Sequence, residues 1–190
     1  VLWAMLNCNH NVDQNDPRWK KENGGWIGTD SYWCESHDGG RAWSKGKPIV
    51  TPDPRGGFSV VSSPIIPLSS AERMIAIEPM FRESVETLDH EAAVVFNRNG
   101  GSAWSDKAMM ARDSEHRIFY FDPRLARLKD GRFVAFYWTH DTQTDESLQT
   151  AIGWSDDGHG WTKPAPTWKA PASGRSKARI IVTCSYSFGI

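Results

Sequence analysis

The sequence lacks three features: an excess of charge of one sign, a long apolar run and a metal-binding cysteine pattern. Its 190 residues carry 22 basic and 23 acidic side chains, so the formal net charge is −1. A near-neutral chain gives no reason to expect nucleic acid or an anionic membrane as its main partner. No apolar run approaches the roughly 20 residues of a bilayer-spanning helix. The sequence therefore predicts neither a nucleic-acid partner nor a membrane span.

Cysteine is scarce and odd in number. Cys8, Cys34 and Cys184 lack metal-ligand spacing such as Cys-x-x-Cys, so the sequence predicts no metal and no cofactor. Cys8 and Cys34 fall on consecutive predicted strands and could face each other, but free buried thiols are the favoured state. The cysteines leave the cellular compartment open.

Helical periodicity is also scarce, with at most a helical turn at 70–73 and another at 83–90. Strand signals dominate, because segments enriched in β-branched and aromatic residues alternate with Gly, Pro, Asn or Asp. The predicted strands cover residues 1–8, 31–35, 59–68, 74–77, 92–97, 118–128, 133–139, 149–155 and 179–185. The sequence predicts an all-β chain.

One octapeptide, Ser36-His37-Asp38-Gly39-Gly40-Arg41-Ala42-Trp43, fits the pattern Ser-x-Asp-x-Gly-x-x-Trp and recurs in weaker form. Its echoes are residues 97–104, with Asn in both polar places, and residues 155–161, which are one residue shorter. The three begin 61 and 58 residues apart, a spacing long enough for one four-stranded sheet per repeat. Near-constant spacing of this kind is typical of propeller blades.

The motif has the chemistry of a tight turn. Its Ser or Asn and its Asp or Asn can bond nearby backbone N–H groups, and its Gly supplies a positive φ. The Trp then begins the next strand, where its ring packs between sheets. Trp43, Trp104 and Trp161 are therefore predicted to be buried and equivalent.

This pattern resembles the Asp box, or bacterial neuraminidase repeat, of the sialidase superfamily. The stretch from Phe121 to Trp138 is also similar to the inner hairpin of a sialidase-like blade, with a Lys-Asp-Gly turn between two apolar strands. The resemblance implies one domain, 1–190, with four-stranded antiparallel repeats at about 1–68, 69–128 and 129–190. Family propellers have six blades, so three blades imply a fragment, a partial propeller or a homo-oligomer that completes the ring.

With the Asp boxes on one rim, the resemblance places a site on the other rim. A sialidase there needs arginines for the sugar carboxylate, a general acid, and a Tyr nucleophile activated by Glu. By position, Asp13 or Asp16 corresponds to the acid, Glu78 to the base and Tyr186 to the nucleophile. The candidate substrate-binding residues are Arg18, Arg55, Arg82 and Arg124.

These residues imply a carbohydrate-active protein, with a glycan or sialoside as its partner. The leading prediction is a glycoside hydrolase of the exo-sialidase type or a related sugar specificity. The alternative is a non-catalytic glycan-binding or assembly module, because the family's Phe-Arg-Ile-Pro motif is absent. Family resemblance alone suggests secretion or a periplasmic location.

Overall fold

A computed structural model describes residues 1–9, 19–20, 25–26, 29–50, 58–82, 88–98 and 103–167. Several residues at strand ends, among them Arg82 and Leu88, are described by their backbone alone. The described chain is built from strands. They are β1 (Leu2–Asn9), β2 (Trp19–Lys20), β3 (Gly25–Trp26), β4 (Thr29–Ser36), β5 (Lys47–Pro48), β6 (Phe58–Val61), β7 (Ile66–Pro67), β8 (Arg73–Arg82), β9 (Leu88–Asn97), β10 (Ser105–Arg112), β11 (Ile118–Arg127), β12 (Phe133–Asp141), β13 (Glu146–Ser147), β14 (Ala151–Ser155) and β15 (Ala165–Pro166).

The strands form three larger antiparallel sheets, each made from consecutive chain segments. Sheet 1 has the order β1-β4-β5, sheet 2 the order β6-β8-β9-β10, and sheet 3 the order β11-β12-β14-β15. The short strand β7 also pairs with β8, β13 pairs with β12, and β2 pairs with β3. No helix occurs among the described residues. The all-β prediction is therefore confirmed.

Two local predictions need correction. The predicted helical turns are wrong where the structure describes them, because Arg73 pairs with Asn97 and Arg82 pairs with Leu88 across two strands. The strand that each motif Trp is predicted to begin is reduced, after Trp43 and Trp161, to β5 and β15, with two residues each. Lys-, Gly- and Pro-rich sequence around these outer strands limits the ladder that they can form.

Two hydrophobic cores hold the sheets together. Trp33, Ile75 and Trp104 belong to the core between sheets 1 and 2, and Met74, Phe96 and Tyr137 to the core between sheets 2 and 3. Neighbouring residues of β8 point to opposite cores, since side chains alternate along a strand. Sheet 2 is thus covered on both faces, which explains its nearly continuous apolar strands.

The turns at 36–43 and 155–161 share one hydrogen-bond pattern. In the first, Asp38 Oδ1 accepts bonds from the N–H groups of Arg41 and Ala42, at 3.0 Å each, while Trp43 Nε1 donates to the Gly40 carbonyl at 3.1 Å. In the second, Asp157 Oδ1 accepts from the N–H groups of residues 159 and 160, and Trp161 Nε1 donates to the Gly158 carbonyl at 2.8 Å. The shorter motif therefore closes with the same contacts.

These bonds also act on the two aspartates. The N–H group of Ala42, followed by the Ser36 hydroxyl, lowers the pKa of Asp38. The N–H groups of Gly160 and His159 lower the pKa of Asp157. In the middle repeat, Asn97 Nδ2 donates to the Ala103 carbonyl at 2.7 Å, and residues 99–102 lie outside the described part.

The three motif tryptophans differ in burial, so the prediction of equal burial is wrong. Trp104 is only 4% exposed and its ring meets that of Trp33 edge-on at 6.1 Å between centroids. Trp161 is partly buried against the core of sheets 2 and 3. Trp43 is 44% exposed, because the described chain places no sheet against the side of sheet 1 on which it lies.

The cysteine prediction is confirmed in part. Cys34 is a free, buried thiol, whereas Cys8 is free but exposed near the end of β1. The two do not face each other, since Cys8 pairs with Asp30 and Cys34 pairs with Ala4. Cys184 lies outside the described residues.

Candidate functional site

The structure describes the side chains of two predicted site residues, Glu78 and Arg124. For Arg82 it gives only the backbone, at the end of β8. The other predicted site residues lie outside the described residues: Asp13, Asp16, Arg18, Arg55 and Tyr186. The candidate site is therefore built around the first two.

Glu78 is a buried carboxylate inside β8 rather than at the end of this strand. It is 3% exposed and lies on the half of the strand that leads away from the 97–104 turn. Its Oε1 accepts a hydrogen bond from the Ser62 hydroxyl at 2.8 Å. A buried carboxylate needs such partners, since desolvation of an unpaired charge is costly.

The second partner of Glu78 is the imidazole of His90, which begins the buried part of β9. His90 Nε2 lies 3.7 Å from Glu78 Oε2, and the ring itself is 2% exposed. His90 Nδ1 accepts a 3.4 Å bond from the N–H of Tyr120, so the Nε2 side of the ring faces Glu78. Residues of β8, β9 and β11 thus meet around this imidazole.

Aromatic rings hold His90 in place. Its imidazole stacks on Phe119 at 4.9 Å and packs against Phe121 at 4.7 Å between ring centroids. Phe121 in turn stacks on Trp138 at 5.1 Å. The imidazole is therefore fixed by sheet 3 although it belongs to sheet 2.

Arg124 joins the same two sheets from the other side. It lies on β11, is exposed, and its Nη1 donates to the Ser62 carbonyl. Ser62 therefore receives Arg124 through its carbonyl and binds Glu78 through its hydroxyl. Ser62 thus bridges the Arg124 guanidinium and the buried Glu78 carboxylate.

The sequence prediction missed Asp122, which lies two residues before Arg124. The ladder between β11 and β12 shifts register between Phe121 and Arg124, and Asp122 has a φ of 49°. The signal in the sequence is an Asp-Pro pair inside an otherwise apolar strand, because Pro cannot donate to the ladder and favours a bulge. Asp122 itself is exposed.

Three influences act on the proton of Asp122. Although the residue is exposed, partial desolvation by the surrounding chain raises the pKa of Asp122, the Glu78 carboxylate raises it further, and the Arg124 guanidinium opposes this rise. A like charge favours the protonated form of a carboxyl group, and an opposite charge favours its ionised form.

Asp141, another acid of this rim, has a structural role. Arg117 donates to its Oδ2 from Nε at 2.9 Å and from Nη2 at 2.6 Å. These bonds, with those from the N–H groups of residues 143 and 144, lower the pKa of Asp141 to about 2. The residue closes the end of β12 and is not available as an acid.

Within the described ranges, no group of three His, Cys, Asp or Glu side chains is arranged to hold a metal ion. The same part of the chain contains no helix of the length and apolar character that a bilayer crossing requires.

Comparison with known proteins gives matches by structure only. No protein-family model matches the sequence, and a search of curated proteins finds no match. The Hadza microbial sialidase Hz136 is similar in structure, with a TM-score of 0.57 and 19% identity over 84% of this chain and 30% of that one. A protein of unknown function from Dyadobacter fermentans DSM 18053 is also similar in structure. Its TM-score is 0.55 and its sequence identity is 18%, over 74% of this chain and 38% of that one.

A third match, the K499G mutant of NanB sialidase from Streptococcus pneumoniae, has a TM-score of 0.46 and 17% identity over 72% of this chain and 19% of that one. The chain spans less than two fifths of the length of any of these three structures. At this identity, the likeness concerns the fold and not the activity. The three antiparallel sheets and the structural similarity to Hz136 together show that the chain has a sialidase-like fold.

Proposed function

We propose that this protein is a carbohydrate-active propeller protein that hydrolyses glycosides in the manner of an exo-sialidase or of a related enzyme. The observation that carries the proposal is the buried Glu78, which Ser62 and His90 hold beside the Asp122-Arg124 segment. Glutamate is rarely buried unless it is paired, so an enclosed carboxylate at the junction of two sheets is a candidate for chemistry. The sialidase-like fold supports the same class of chemistry.

In this proposal, the three sheets are blades and the turns at 36–43, 97–104 and 155–161 are Asp boxes. The shared hydrogen bonds of the first and third turns support this interpretation. Glu78 lies on the half of its sheet away from the middle turn, so the site is on the opposite rim. Its proposed role is that of the base.

Arg124 is the proposed contact for an anionic sugar. Guanidinium groups bind carboxylates through paired hydrogen bonds, and Arg124 is exposed while anchored to the Ser62 carbonyl. Arg18, Arg55 and Arg82 remain predictions for the same role, as do Asp13 or Asp16 for the acid and Tyr186 for the nucleophile.

A hydrolysis assay tests the proposal. Purified protein is incubated with a fluorogenic sialoside and with matched neutral glycosides, and the same panel is measured with Arg124→Ala. We expect turnover of the sialoside, with a KM that rises in the variant because a charge-assisted hydrogen bond worth about 1.5–3 kcal/mol is lost.

The matched control is Arg132→Ala, since Arg132 is an exposed arginine of the β11–β12 turn that pairs with Asp130 and lies over the ring of Trp154. It is expected to leave KM unchanged. If the wild-type protein turns over none of the glycosides but binds them in a glycan-binding assay, the non-catalytic alternative replaces the hydrolase. If Arg124→Ala unfolds, Arg124→Lys gives the same comparison with the charge kept.

We also propose that two copies associate through the open faces of sheets 1 and 3. Leu6 and Trp43 are exposed on sheet 1, and Trp138 and Trp154 on sheet 3, at positions that point away from the cores. Exposed apolar faces of this kind mark association surfaces. If sheet 1 of each copy packs against sheet 3 of the other copy, the same contact forms twice and closes a ring.

Sedimentation of the purified chain is expected to give the mass of two copies. Trp154→Asp is expected to give the mass of one copy, because it places a charge on the contact. Lys129→Asp, in the exposed β11–β12 turn, is the control and is expected to leave the dimer intact. A wild-type monomer at all concentrations would contradict this association.

A further inference from the structure

The turn at 155–161 does more than close its own sheet, because it also packs on the neighbouring sheet. The ring of His159 stacks on the ring of Phe96, which belongs to sheet 2, at 4.3 Å between centroids and 12° between planes. A Cβ atom added to Gly158 would lie 3.1 Å from Met74 Sδ and 3.7 Å from Phe96 Cε1. The turn of sheet 3 is therefore a contact between sheets 2 and 3.

The first turn has an equivalent position for each of these residues. Gly40 corresponds to Gly158, because the N–H of each glycine bonds the first Ser of its motif at 2.8 Å, and their φ angles are 91° and 83°. The next residue is Arg41 in the first turn and His159 in the third. Among the described residues, a Cβ atom added to Gly40 would meet side chains of its own sheet and turn. The first turn thus has the shape of the third without a neighbouring sheet to pack on.

Sheet 3 offers the surface that such a turn needs. Phe96 directly precedes Asn97, the first residue of the middle motif, and Trp154 directly precedes Ser155, the first residue of the third motif. Both aromatic residues lie on the third strand of their four-stranded order. Phe96 is 2% exposed beneath the third turn, whereas Trp154 is 37% exposed, and among the described residues no turn of another sheet covers it. The ring already accepts one guanidinium, since that of Arg132 lies 5.7 Å from its centroid.

The chemistry of the two unmatched positions is complementary. Arg41 is exposed, and its backbone is fixed because its N–H donates to Asp38 Oδ1 at 3.0 Å. A guanidinium stacks on aromatic faces, and Trp is the aromatic side chain that attracts a cation most strongly. Arg41 and Trp154 lie on sheets 1 and 3, which sheet 2 separates. A contact between them therefore needs two molecules.

We propose that the Arg41 guanidinium of one copy stacks on the Trp154 ring of a second copy, as His159 stacks on Phe96 within the chain. This inference rests on the proposed association of two copies and names the contact that fixes its geometry. The first turn of each copy covers sheet 3 of the other copy, so the contact forms twice in the closed dimer.

A double-mutant cycle on the dimer tests the contact. The Kd of the dimer is measured by sedimentation for the wild-type protein, Arg41→Ala, Trp154→Ala and the double variant. Each single substitution is expected to raise the Kd by about 10-fold, because two cation–π contacts are lost from each dimer. The double variant is expected to show little more than the larger single effect, since both substitutions remove the same contact. Single effects that multiply in the double variant overturn the contact.

A graft of the pair seen within the chain tests the geometry. The double variant Arg41→His with Trp154→Phe reproduces the pair of His159 and Phe96 and is expected to remain a dimer. Arg41→Glu places a carboxylate on the negative face of the ring and is expected to give the mass of one copy. Dissociation of the grafted variant, or an intact dimer in Arg41→Glu, overturns the contact.

The matched control is Arg98→Ala, since Arg98 is an exposed arginine of the middle turn that pairs with Asp106. It is expected to leave the Kd unchanged. Thermal unfolding shows whether each variant is folded, and Trp154→Leu replaces Trp154→Ala in the cycle if the latter unfolds.

The failure of this contact and that of the association give different results. A wild-type monomer at all concentrations would mean that something other than a second copy covers these faces, and both proposals would fail. A wild-type dimer in which Arg41→Ala and Trp154→Ala act independently overturns the contact alone. Neither result depends on the turnover of a glycoside.

Discussion

Replacing Trp104 by Ala is expected to destabilise the protein by about 3–5 kcal/mol, the usual cost of removing a buried large aromatic side chain. Trp104 is 4% exposed and packs edge-on against Trp33 in the core between sheets 1 and 2. The truncation would leave a cavity where two sheets meet. Urea unfolding of the wild-type protein and the variant measures the difference in the free energy of unfolding, provided that the dependence of this free energy on urea concentration is the same in both.

Trp43→Ala is the matched control, because Trp43 has the same place in the first turn but is 44% exposed. Its loss is expected to be about 1 kcal/mol, mainly from the hydrogen bond that its Nε1 donates to the Gly40 carbonyl. A cost below about 1 kcal/mol for Trp104→Ala would contradict the packing of sheet 1 on sheet 2.

The second large effect is expected in catalysis. If the proposed function is right, Glu78→Gln lowers kcat by about 10²-fold to 10⁴-fold, the usual contribution of a residue that assists proton transfer. The substitution keeps the shape of the side chain and removes its charge, so the effect is chemical rather than steric.

Thermal unfolding of Glu78→Gln decides whether a lost activity is catalytic. The Gln amide can still accept a hydrogen bond from Ser62, so the variant is expected to remain folded. Asp130→Asn serves as the control for removal of an exposed carboxylate. Unchanged kcat in folded Glu78→Gln would exclude Glu78 from the catalytic machinery.

The family resemblance placed Glu78 and Arg124 in one site, but the residues themselves do not predict how the two are linked. They are 46 residues apart on different sheets, and their link through Ser62 depends on how sheet 3 packs on sheet 2. Asp122 was missed because its Asp-Pro signal predicts a bulge in the strand and does not predict which charged groups act on the aspartate. Its special setting comes from the bulge and from Glu78, which is distant along the chain.

The turns and the inner strands could be predicted from the sequence alone. The turns at 36–43 and 155–161 close through hydrogen bonds between residues at most four positions apart, so the residue types determine the contacts. The apolar runs of β8 and β9 likewise predicted strands, since alternate side chains enter two cores. These features depend on neighbours in sequence.

Burial and charge coupling were decided by the tertiary structure. Trp43 and Trp104 follow turns of similar chemistry, yet only Trp104 has a sheet packed over it. Glu78 carries the same carboxyl group as any surface glutamate, and its enclosure comes from His90, Ser62 and the rings of β11. The sequence by itself determined strands and turns because they form among near neighbours, whereas solvent access and electrostatic partners depend on which distant segments meet.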